Sequence, residues 1–255
     1  MTTRSTSADQ PVSVAPAEVP TRQARNSAAL WTATGRCRGH EVVRRRGFLA
    51  VDGDARAGLR ILIQEPDLDP GELAELSELV RRAPGAVNAE DPFSSTDLSH
   101  LGMRGWQMPV MLRPPGPVGE PGLDVIRVRR TEDLQAAERI AIEGFELAGF
   151  QPYRPGELFP AALIEQPGVD VFVALYDGVP AGAGVTVVDE GIGSHYWVGT
   201  SPAFRSRGLG RAVMLGSLAH LADLPVTLTA SKLGRPLYES LGYTAAASAT
   251  WWASQ

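Results

Sequence analysis

The chain has 255 residues, of which 44% are hydrophobic and 21% charged, with a formal net charge of −5. A chain this long buries a full core and reads as one or two globular domains. The negative balance excludes a general nucleic-acid binder, which needs a basic face to displace counterions from phosphates, and no apolar run reaches the ~18 residues of a membrane span.

In chain order, the start MTTRSTSADQ lacks the apolar core of a signal peptide, so a cytoplasmic protein is expected. Residues 1–27 are rich in Ser, Thr and Pro and carry only small aliphatics such as Val12, Val14 and Val19; they predict a disordered tail. Residues 28–112 read as a first, mixed α/β unit. Cys37 is the only cysteine, which excludes an internal disulfide and a CxxC site. Arg36, Arg38 and Arg44–Arg46 form a basic cluster read as a solvated face. Gly58–Gln64 reads as a strand. Pro70–Ala83 reads as a helix, with Leu73, Leu76 and Val80 on one stripe. Trp106–Leu112 reads as a strand that must place Pro109 at an edge or bulge. RPPGPVGEPG, residues 113–122, has four Pro and three Gly and predicts a stiff linker.

The second unit, residues 123–255, is more regular. A strand carries Val125 and Val128. Thr131 is the expected N-cap of a helix with Leu134, Ala137, Ile140, Ala141 and Phe145 on its stripe. Val169–Tyr176 and Gly182–Val188 form strands joined by a turn at Asp177–Gly178, and Ile192–Thr200 is a further strand. Gly208–Ala222 is a helix, Pro225–Ala230 a strand, and Pro236–Leu241 a short helix with Gly242 past its end. Tyr243 opens the last strand, where Trp251 and Trp252 are read as closing the sheet.

The informative stretch is VGTSPAFRSRGLGRAV, residues 198–213. It joins a strand to a helix through a loop rich in Arg and Gly. Unpaired amides at a helix N-terminus form an anion site. Gly208 and Gly210 let the backbone approach a phosphate, and Arg205, Arg207 and Arg211 add full charges. A pyrophosphate is the implied ligand. The GxxxxGK[ST] loop is absent. GxGxxG fails at Val213, and Leu228 and Thr229 stand where a ribose-binding acid would be, so a dinucleotide hydride enzyme is disfavoured. The four histidines, His40, His100, His195 and His220, lack HExxH spacing, and no metal site is expected. Lys232 is the only lysine against 23 arginines, which with the abundant Ala, Gly and Pro points to a GC-rich bacterial genome.

Arg205-Ser206-Arg207-Gly208-Leu209-Gly210 resembles the R/Q-x-x-G-x-G/A motif of the GCN5-related N-acetyltransferase (GNAT) family. Leu237-Tyr238-Glu239-Ser240-Leu241-Gly242-Tyr243 resembles that family's second signature, Leu-Tyr-x-x-x-Gly-Phe/Tyr, at the expected separation of one helix and one strand. The resemblance covers the whole second unit. It implies the GNAT fold, an α/β (α+β) mixed twisted sheet flanked by helices, and an enzyme that transfers the acetyl group of acetyl-CoA directly to a primary amine. The acceptor would be a small molecule or a peptide, and the enzyme a monomer or homodimer. The backbone of Val198, Gly199 and Thr200 would bond the pantetheine arm, and the Ser206–Arg211 amides would cradle the pyrophosphate. Tyr238 would protonate the departing thiolate. Ser231 stands where the family often has Asn, with a shorter reach.

The resemblance also implies a general base on the strand before the loop, six or four residues before Thr200, where this chain has Ser194 and Tyr196. His195 is offset by one, and strand alternation sends it to the opposite face unless a bulge re-aims it. Glu190 and Glu143 are weaker candidates. With no base in evidence, a non-catalytic acyl-CoA-binding module is the alternative. Glu143, Glu146 and Glu157, set among Phe145, Phe150, Tyr153 and Phe159, hint at a cationic, partly apolar acceptor.

The first unit echoes the second. DLSHLGMRGWQMPVM (97–111) resembles LYESLGYTAAASATW (237–251) about a shared Leu-Gly pair, with Leu98 in place of Tyr238. Leu59–Ala83 takes the place of the cofactor loop and helix, but its loop carries Glu65, Asp67, Asp69 and Glu72, which repel a pyrophosphate. The expectation is a tandem arrangement with a degenerate, GNAT-like first copy; an unrelated α/β cap is the alternative.

Overall fold

A computed structural model describes residues 14–254. The first half contains α1 (Val19–Cys37), β1 (Glu41–Arg44), β2 (Phe48–Asp52), β3 (Leu59–Ile63), α2 (Pro70–Arg82), β4 (Val87–Asp91) and β5 (Met103–Arg113). The second contains β6 (Val125–Arg127), α3 (Thr131–Gly144), β7 (Val169–Tyr176), β8 (Val179–Asp189), β9 (Ile192–Thr200), α4 (Leu209–Leu218), β10 (Val226–Thr229), α5 (Arg235–Ser240) and β11 (Thr244–Ser254). This is the α/β mixed sheet flanked by helices that the sequence predicts. No helix among the described residues is long and apolar enough to cross a membrane.

All eleven strands join one sheet, in the order β1-β2-β3-β4-β11-β5-β10-β9-β8-β7-β6. Leaving out β6, the order is the same from both ends. The run β1-β2-β3-β4 ends on β11, and the run β7-β8-β9-β10 ends on β5. Pairing sense repeats as well. β1–β2–β3 and β7–β8–β9 are antiparallel, β3–β4 and β9–β10 are parallel, and β4–β11 and β10–β5 are antiparallel. Each parallel pair is bridged by one helix, α2 or α4. Each half therefore places its last strand between the last strand and the remaining strands of the other half. At the centre β5 and β11 pair over ten positions, from Thr244–Leu112 to Ser254–Met103.

The expected boundaries shift for stated reasons. Residues 1–13 of the predicted tail lie outside the described residues, but residues 19–27 are helical, not disordered: they are the first turns of α1. The composition argument missed that their polar groups are bonded. The Asn26 side-chain amide donates to the carbonyls of Val187 (3.2 Å) and Ile192 (3.1 Å), and Ser27 Oγ donates to Glu90 (2.8 Å). α1 lies across one face of the sheet and touches strands of both halves. Its Leu30 joins the core with α3, while Ala28 and Trp31 pack on Leu49, Val51 and Leu62. α2 and α4 cover the opposite face.

The strands β1, β2 and β4 were not legible in the pattern. β2, Phe-Leu-Ala-Val-Asp, is buried on both faces and shows no alternation. Thr131 is the first residue of α3 rather than its cap, which falls on Arg130 with no side-chain bond. α4 is shorter than expected, ending at Leu218. Pro109 lies in a central strand, but at a local edge. Its carbonyl accepts from Ala230 N (2.9 Å) just beyond the last β5–β10 pair, Val110–Thr229, so its missing N–H falls where β10 leaves the sheet. The 114–122 stretch is strapped to the second half. The Arg113 guanidinium donates to the carbonyls of Leu241, Pro114, Gly116 and Pro117, and Gly116 N donates to Ala222 O.

A chain cut to residues 123–255 lacks β5, so β10 and β11 both lose their shared neighbour. It is expected to show no cooperative unfolding transition. A cooperative melt of that fragment by circular dichroism, near the temperature of the whole chain, would contradict the exchange of strands.

Candidate functional site

β9 and β10 run parallel but pair at only two positions, Val226–Gly193 and Thr227–Ser194. Beyond these they diverge, and the inner backbone edge of β9 from His195 onward faces an opening rather than a strand. On its outer edge β9 stays paired with β8, with a bulge where Gly184 stands opposite both Trp197 and Val198. Trp197 has φ +54°, in the left-handed region. The bulge turns Tyr196 and Trp197 to the same face, that of α1 and α3, while Val198 packs toward α4. Val198, Gly199 and Thr200, all half-buried, line the mouth of the opening.

At that mouth stands the N-terminus of α4. Its cap is Gly208, at φ +81°, preceded by Ser206 at φ +63°. The first backbone bond of the helix runs from Ala212 N to Gly208 O (2.9 Å), and the amides of residues 206–211 have no partner among the described residues. The first turn has no acidic residue. A Cβ on Gly208 would meet nothing within 4 Å, and one on Gly210 would stand 3.5 Å from Leu237 and 4.0 Å from Thr200 Oγ1, so the row of amides is uncovered. Arg205, Arg207 and Arg211 are exposed and none is in an ion pair among the described residues. Arg207 lies over the rings of Tyr176 (4.8 Å) and Phe204 (5.5 Å), and Arg211 donates to Ser240 Oγ (3.1 Å). Leu209 is buried and anchors the turn. An uncovered row of N–H groups, a helix dipole and three guanidinium groups with no carboxylate partner among the described residues together form a site for a polyvalent anion.

α5 closes the other side of the opening. Tyr238 is half-buried, its ring edge-on to Tyr243 at 6.0 Å, and its hydroxyl has no hydrogen-bond partner among the described residues. Burial pushes its pKa up to about 12, so at neutral pH it is a protonated donor. Ser231 is exposed, and its Oγ accepts from Gly234 N (3.1 Å), which holds the turn into α5 while leaving its proton free.

The base candidates divide sharply. His195 is 4% exposed and faces α4, not the opening. The bulge lies after it and does not re-aim it. Its Nε2 is 2.8 Å from Ser217 Oγ and its Nδ1 3.1 Å from the Tyr243 hydroxyl. Ser217 spends its own proton on Val213 O (2.7 Å), so Nε2 donates to Ser217 and Nδ1 accepts from Tyr243. Burial, then the nearby Arg113 charge, lowers its pKa to about 3. It is a satisfied, neutral core histidine. Glu190 sits at the far turn of β9, paired with Arg22 and Arg25. Glu143 is exposed on α3 and reaches only Ser201 Oγ (3.4 Å). The acidic and aromatic group expected around an acceptor comes together only in part, with Phe145 and Phe159 edge-on to Trp197 at 5.5 and 6.5 Å. Glu157 is bonded to Arg56 (2.7 Å), and Phe150 and Phe159 are core residues. Sequence reasoning missed Glu138, which is fully buried on α3 and accepts from the amides of Gly156, Leu158 and Phe159 and from the Tyr153 hydroxyl. It shapes the loop between α3 and β7. No cluster of His, Cys, Asp or Glu able to hold a metal occurs among the described residues.

The first half has no such opening. β3 and β4 pair at four consecutive positions, Leu59–Val87 to Leu62–Glu90. The N-terminus of α2 is filled by its own carboxylates. Asp69 accepts from Glu72 N (2.9 Å), and Glu72 turns back to the amides of Asp69 and Gly47.

Because His195 is neutral in the folded chain and charged in the unfolded one between pH 6.5 and about 3, it lowers stability as pH falls through that window. The expected cost is about 1.4 kcal/mol per pH unit. Denaturant unfolding of His195→Gln should be less steep between pH 6.5 and 5 by about one proton; equal slopes would show that the imidazole is protonated in place.

Comparison with known proteins agrees with this geometry. Residues 167–245, which span β7 to the start of β11, match the family described as acetyltransferase (GNAT) domain. A GCN5-related N-acetyltransferase from Kribbella flavida is similar over 92% of this chain and 95% of its own, at 21% identity and a TM-score of 0.61. One from Sphaerobacter thermophilus is similar over 94% and 93%, at 18% identity and a TM-score of 0.54. These likenesses extend over both halves and concern the fold. No curated protein matches the chain. The diverging parallel strands and the glycine-capped helix lie within residues 167–245, the segment that matches the acetyltransferase (GNAT) domain family.

Proposed function

We propose that the chain is an acetyl-CoA-dependent N-acetyltransferase that transfers the acetyl group directly to a primary amine of a small molecule or peptide. The observation that carries this reading is the uncovered row of amides at 206–211 at the mouth of the β9–β10 opening. In this reading those amides and Arg205, Arg207 and Arg211 hold the pyrophosphate. The free edge of Val198, Gly199 and Thr200 receives the pantetheine arm as a strand would, and Ser231 offers a hydroxyl proton from the opposite wall. Leu209 fixes the turn from below. Tyr238 donates its unshared proton to the sulfur of the leaving thiolate. The amine attacks from the side of Tyr196 and Trp197, the only side chains that the bulge turns to that face at the opening.

The repeated strand order supports reading the first half as a degenerate copy that has lost its cofactor site. Its parallel strands are zipped and its helix N-terminus is occupied by Asp69 and Glu72. One acetyl-CoA per chain is therefore expected. A non-catalytic acyl-CoA-binding module is supported by one observation, that β9 brings no carboxylate or accessible imidazole to the opening.

Acetyl-CoA at a hundred times its Kd should stabilise the chain by about 2.7 kcal/mol, seen as a raised Tm. Gly210→Ala, whose Cβ meets Leu237 at ordinary contact distance, should keep that shift, whereas Gly210→Asp sets a carboxylate beside the amides and should remove it. A shift that survives in Gly210→Asp would place the cofactor elsewhere.

Tyr238→Phe keeps the ring packing and removes an O–H that has no hydrogen-bond partner among the described residues, so Tm and acetyl-CoA affinity should hold. General acid catalysis contributes about 10²–10⁴-fold; because CoA thiolate leaves readily, a loss in kcat of about 10–100-fold is expected, measured as thiol release over a panel of primary amines. Wild-type kcat in this variant would make Tyr238 a packing residue.

A further inference from the structure

α1 ends on Arg36-Cys37-Arg38-Gly39-His40. Gly39, at φ +72°, stops the helix: its N–H turns back to Arg36 O (3.0 Å) and that of His40 to Gly35 O (2.9 Å). Arg38, which the sequence groups with a solvated basic face, is instead half-buried where α1 meets two other segments. One is the turn between β2 and β3, residues 53–58, in the first half. The other is the loop between α3 and β7, in the second. These two seat directly on each other. A Cβ on Gly149 would stand 2.9 Å from Arg56 O, and Arg56 donates to the carbonyls of Gln151 (3.1 Å) and Pro152 (2.9 Å) and to Glu157 (2.7 Å). Between them and α1 lies a cavity of about 290 Å³, whose walls include Arg38, His40, Asp54, Ala57, Phe150 and Glu157. That is the lower end of the about 300–1,000 Å³ of small-molecule sites.

The cavity is lined by donors with nothing to bond. Arg38 Nη2 donates to Leu158 O. Arg38 Nε and His40 Nδ1 are shut from water and have no hydrogen-bond partner; they are two of four such side-chain atoms among the described residues, and the other two are indole nitrogens. Arg38 Nη1 makes no hydrogen bond, and Arg38 is in no ion pair, among the described residues. The neighbouring carboxylates are engaged elsewhere. Asp54 accepts from Arg56 N (2.9 Å) and Ala57 N (2.8 Å), and Glu157 holds Arg56. Glu138, behind the loop, is bonded to Gly156, Leu158, Phe159 and Tyr153. Phe150 offers the guanidinium a ring at 5.8 Å, which attracts it but does not neutralise it. Burial lowers the Arg38 pKa to about 10, against the pull of Glu138, so it stays charged at neutral pH. Burial and then the Arg38 charge lower the His40 pKa, which leaves a neutral ring with one N–H to give.

We propose that this cavity between the two halves binds a small carboxylate with an apolar body. An unpaired charge held out of water is costly, and a carboxylate is the group that meets a guanidinium fork with parallel bonds. Arg38 supplies the charge, His40 a neutral N–H, and the ring of Phe150 the wall for the apolar part. The site shares no lining residue with the amide row at 206–211, and the inference does not depend on acetyl transfer. A ligand here clamps the 53–58 turn of the first half to the loop of the second whose Phe159 lies edge-on to Trp197, at the edge of the β9–β10 opening.

The experiment titrates phenylacetate into the whole chain by calorimetry, with phenylacetamide as its uncharged match and Tm read on every variant. Phenylacetate should bind at one site per chain, and phenylacetamide about 10-fold more weakly or less. Arg38→Gln should weaken phenylacetate by about 10–100-fold, the worth of hydrogen bonds to a charged group. Ala57→Leu fills the cavity, keeps every charge and should also remove binding, whereas Gly210→Asp, at the cofactor mouth, should not. Cys37 is the only cysteine of the chain and lines the same cavity. Phenylacetate, and not phenylacetamide, should therefore slow its alkylation by N-ethylmaleimide in the wild type, a readout that needs no variant to fold. Equal binding of acid and amide would overturn the inference, as would binding that survives Arg38→Gln or Ala57→Leu or is lost in Gly210→Asp. So would unchanged alkylation of Cys37 at saturating phenylacetate. Absence of both heat and protection with phenylacetate, propanoate and butanoate at millimolar concentration would overturn it too, and none of these outcomes touches the acetyltransferase reading.

Discussion

The pairing of β5 with β11 is the constraint on which the rest depends. Each strand is the last of its half, and each lies between the other and the parallel pair of the opposite half. β11 bonds β4 on one side and β5 on the other; β5 bonds β11 and β10. One edge each of β10 and β4 is satisfied by a strand from the other half, and an unpaired buried N–H or C=O costs about 1–3 kcal/mol. Two compact units joined by a tether would each have an open sheet edge in the middle of a core. Exchange removes both edges at once. This is why the Pro- and Gly-rich stretch at 114–122 does not hold two bodies apart: its Arg113 is a β5 residue bonded to Leu241, next to the start of β11.

Within that shared sheet the two parallel pairs behave differently, and the cause is local. At β9 the bulge at Trp197 shifts the strand out of register with β8, and β10 ends at Thr229. Pro109, on the far side of β10, offers no N–H to extend the pairing. The strands part and the helix that follows β9 begins on glycine. At β3 there is no bulge, β4 runs alongside for four pairs, and α2 begins on Asp69 with Pro70. The same topology thus yields an open, electropositive mouth in one half and a closed, acid-capped turn in the other.

Much of this was legible from residue order, and the part that was not has a physical reason. The loop 205–211 and the Tyr238 segment are local devices: a glycine cap, free amides and a turn are set by neighbours in sequence. The acidic loop at 65–72 was equally legible as a site hostile to phosphate. The offset of His195 from the opening followed from strand alternation alone. The exchange of β5 and β11 was not legible, because hydrophobic alternation says which face a residue takes and nothing about which strand lies beside it. β1 and β2 escaped for lack of alternation. α1 was read in part as tail because Gln23, Asn26 and Ser27 are polar in sequence and buried in the fold; their partners, Tyr196, Val187, Ile192 and Glu90, lie 63 to 173 residues away.

Those polar contacts explain how α1 can serve two halves. Its apolar side packs on both, but apolar contact is non-directional. A helix held that way alone could settle one turn, about 5.4 Å, along its axis with little change in buried area. Asn26 prevents this, since its amide must meet two carbonyls at the β8–β9 turn, and Ser27 must meet Glu90 three residues into β4. A slip in either direction would leave these groups buried and unpaired, at about 1–3 kcal/mol each. The polar residues of α1 therefore fix its register against the second half at one point and against the first half at the next. Tyr196 is held between them, and its position at the opening is set by the seating of a helix from the other half.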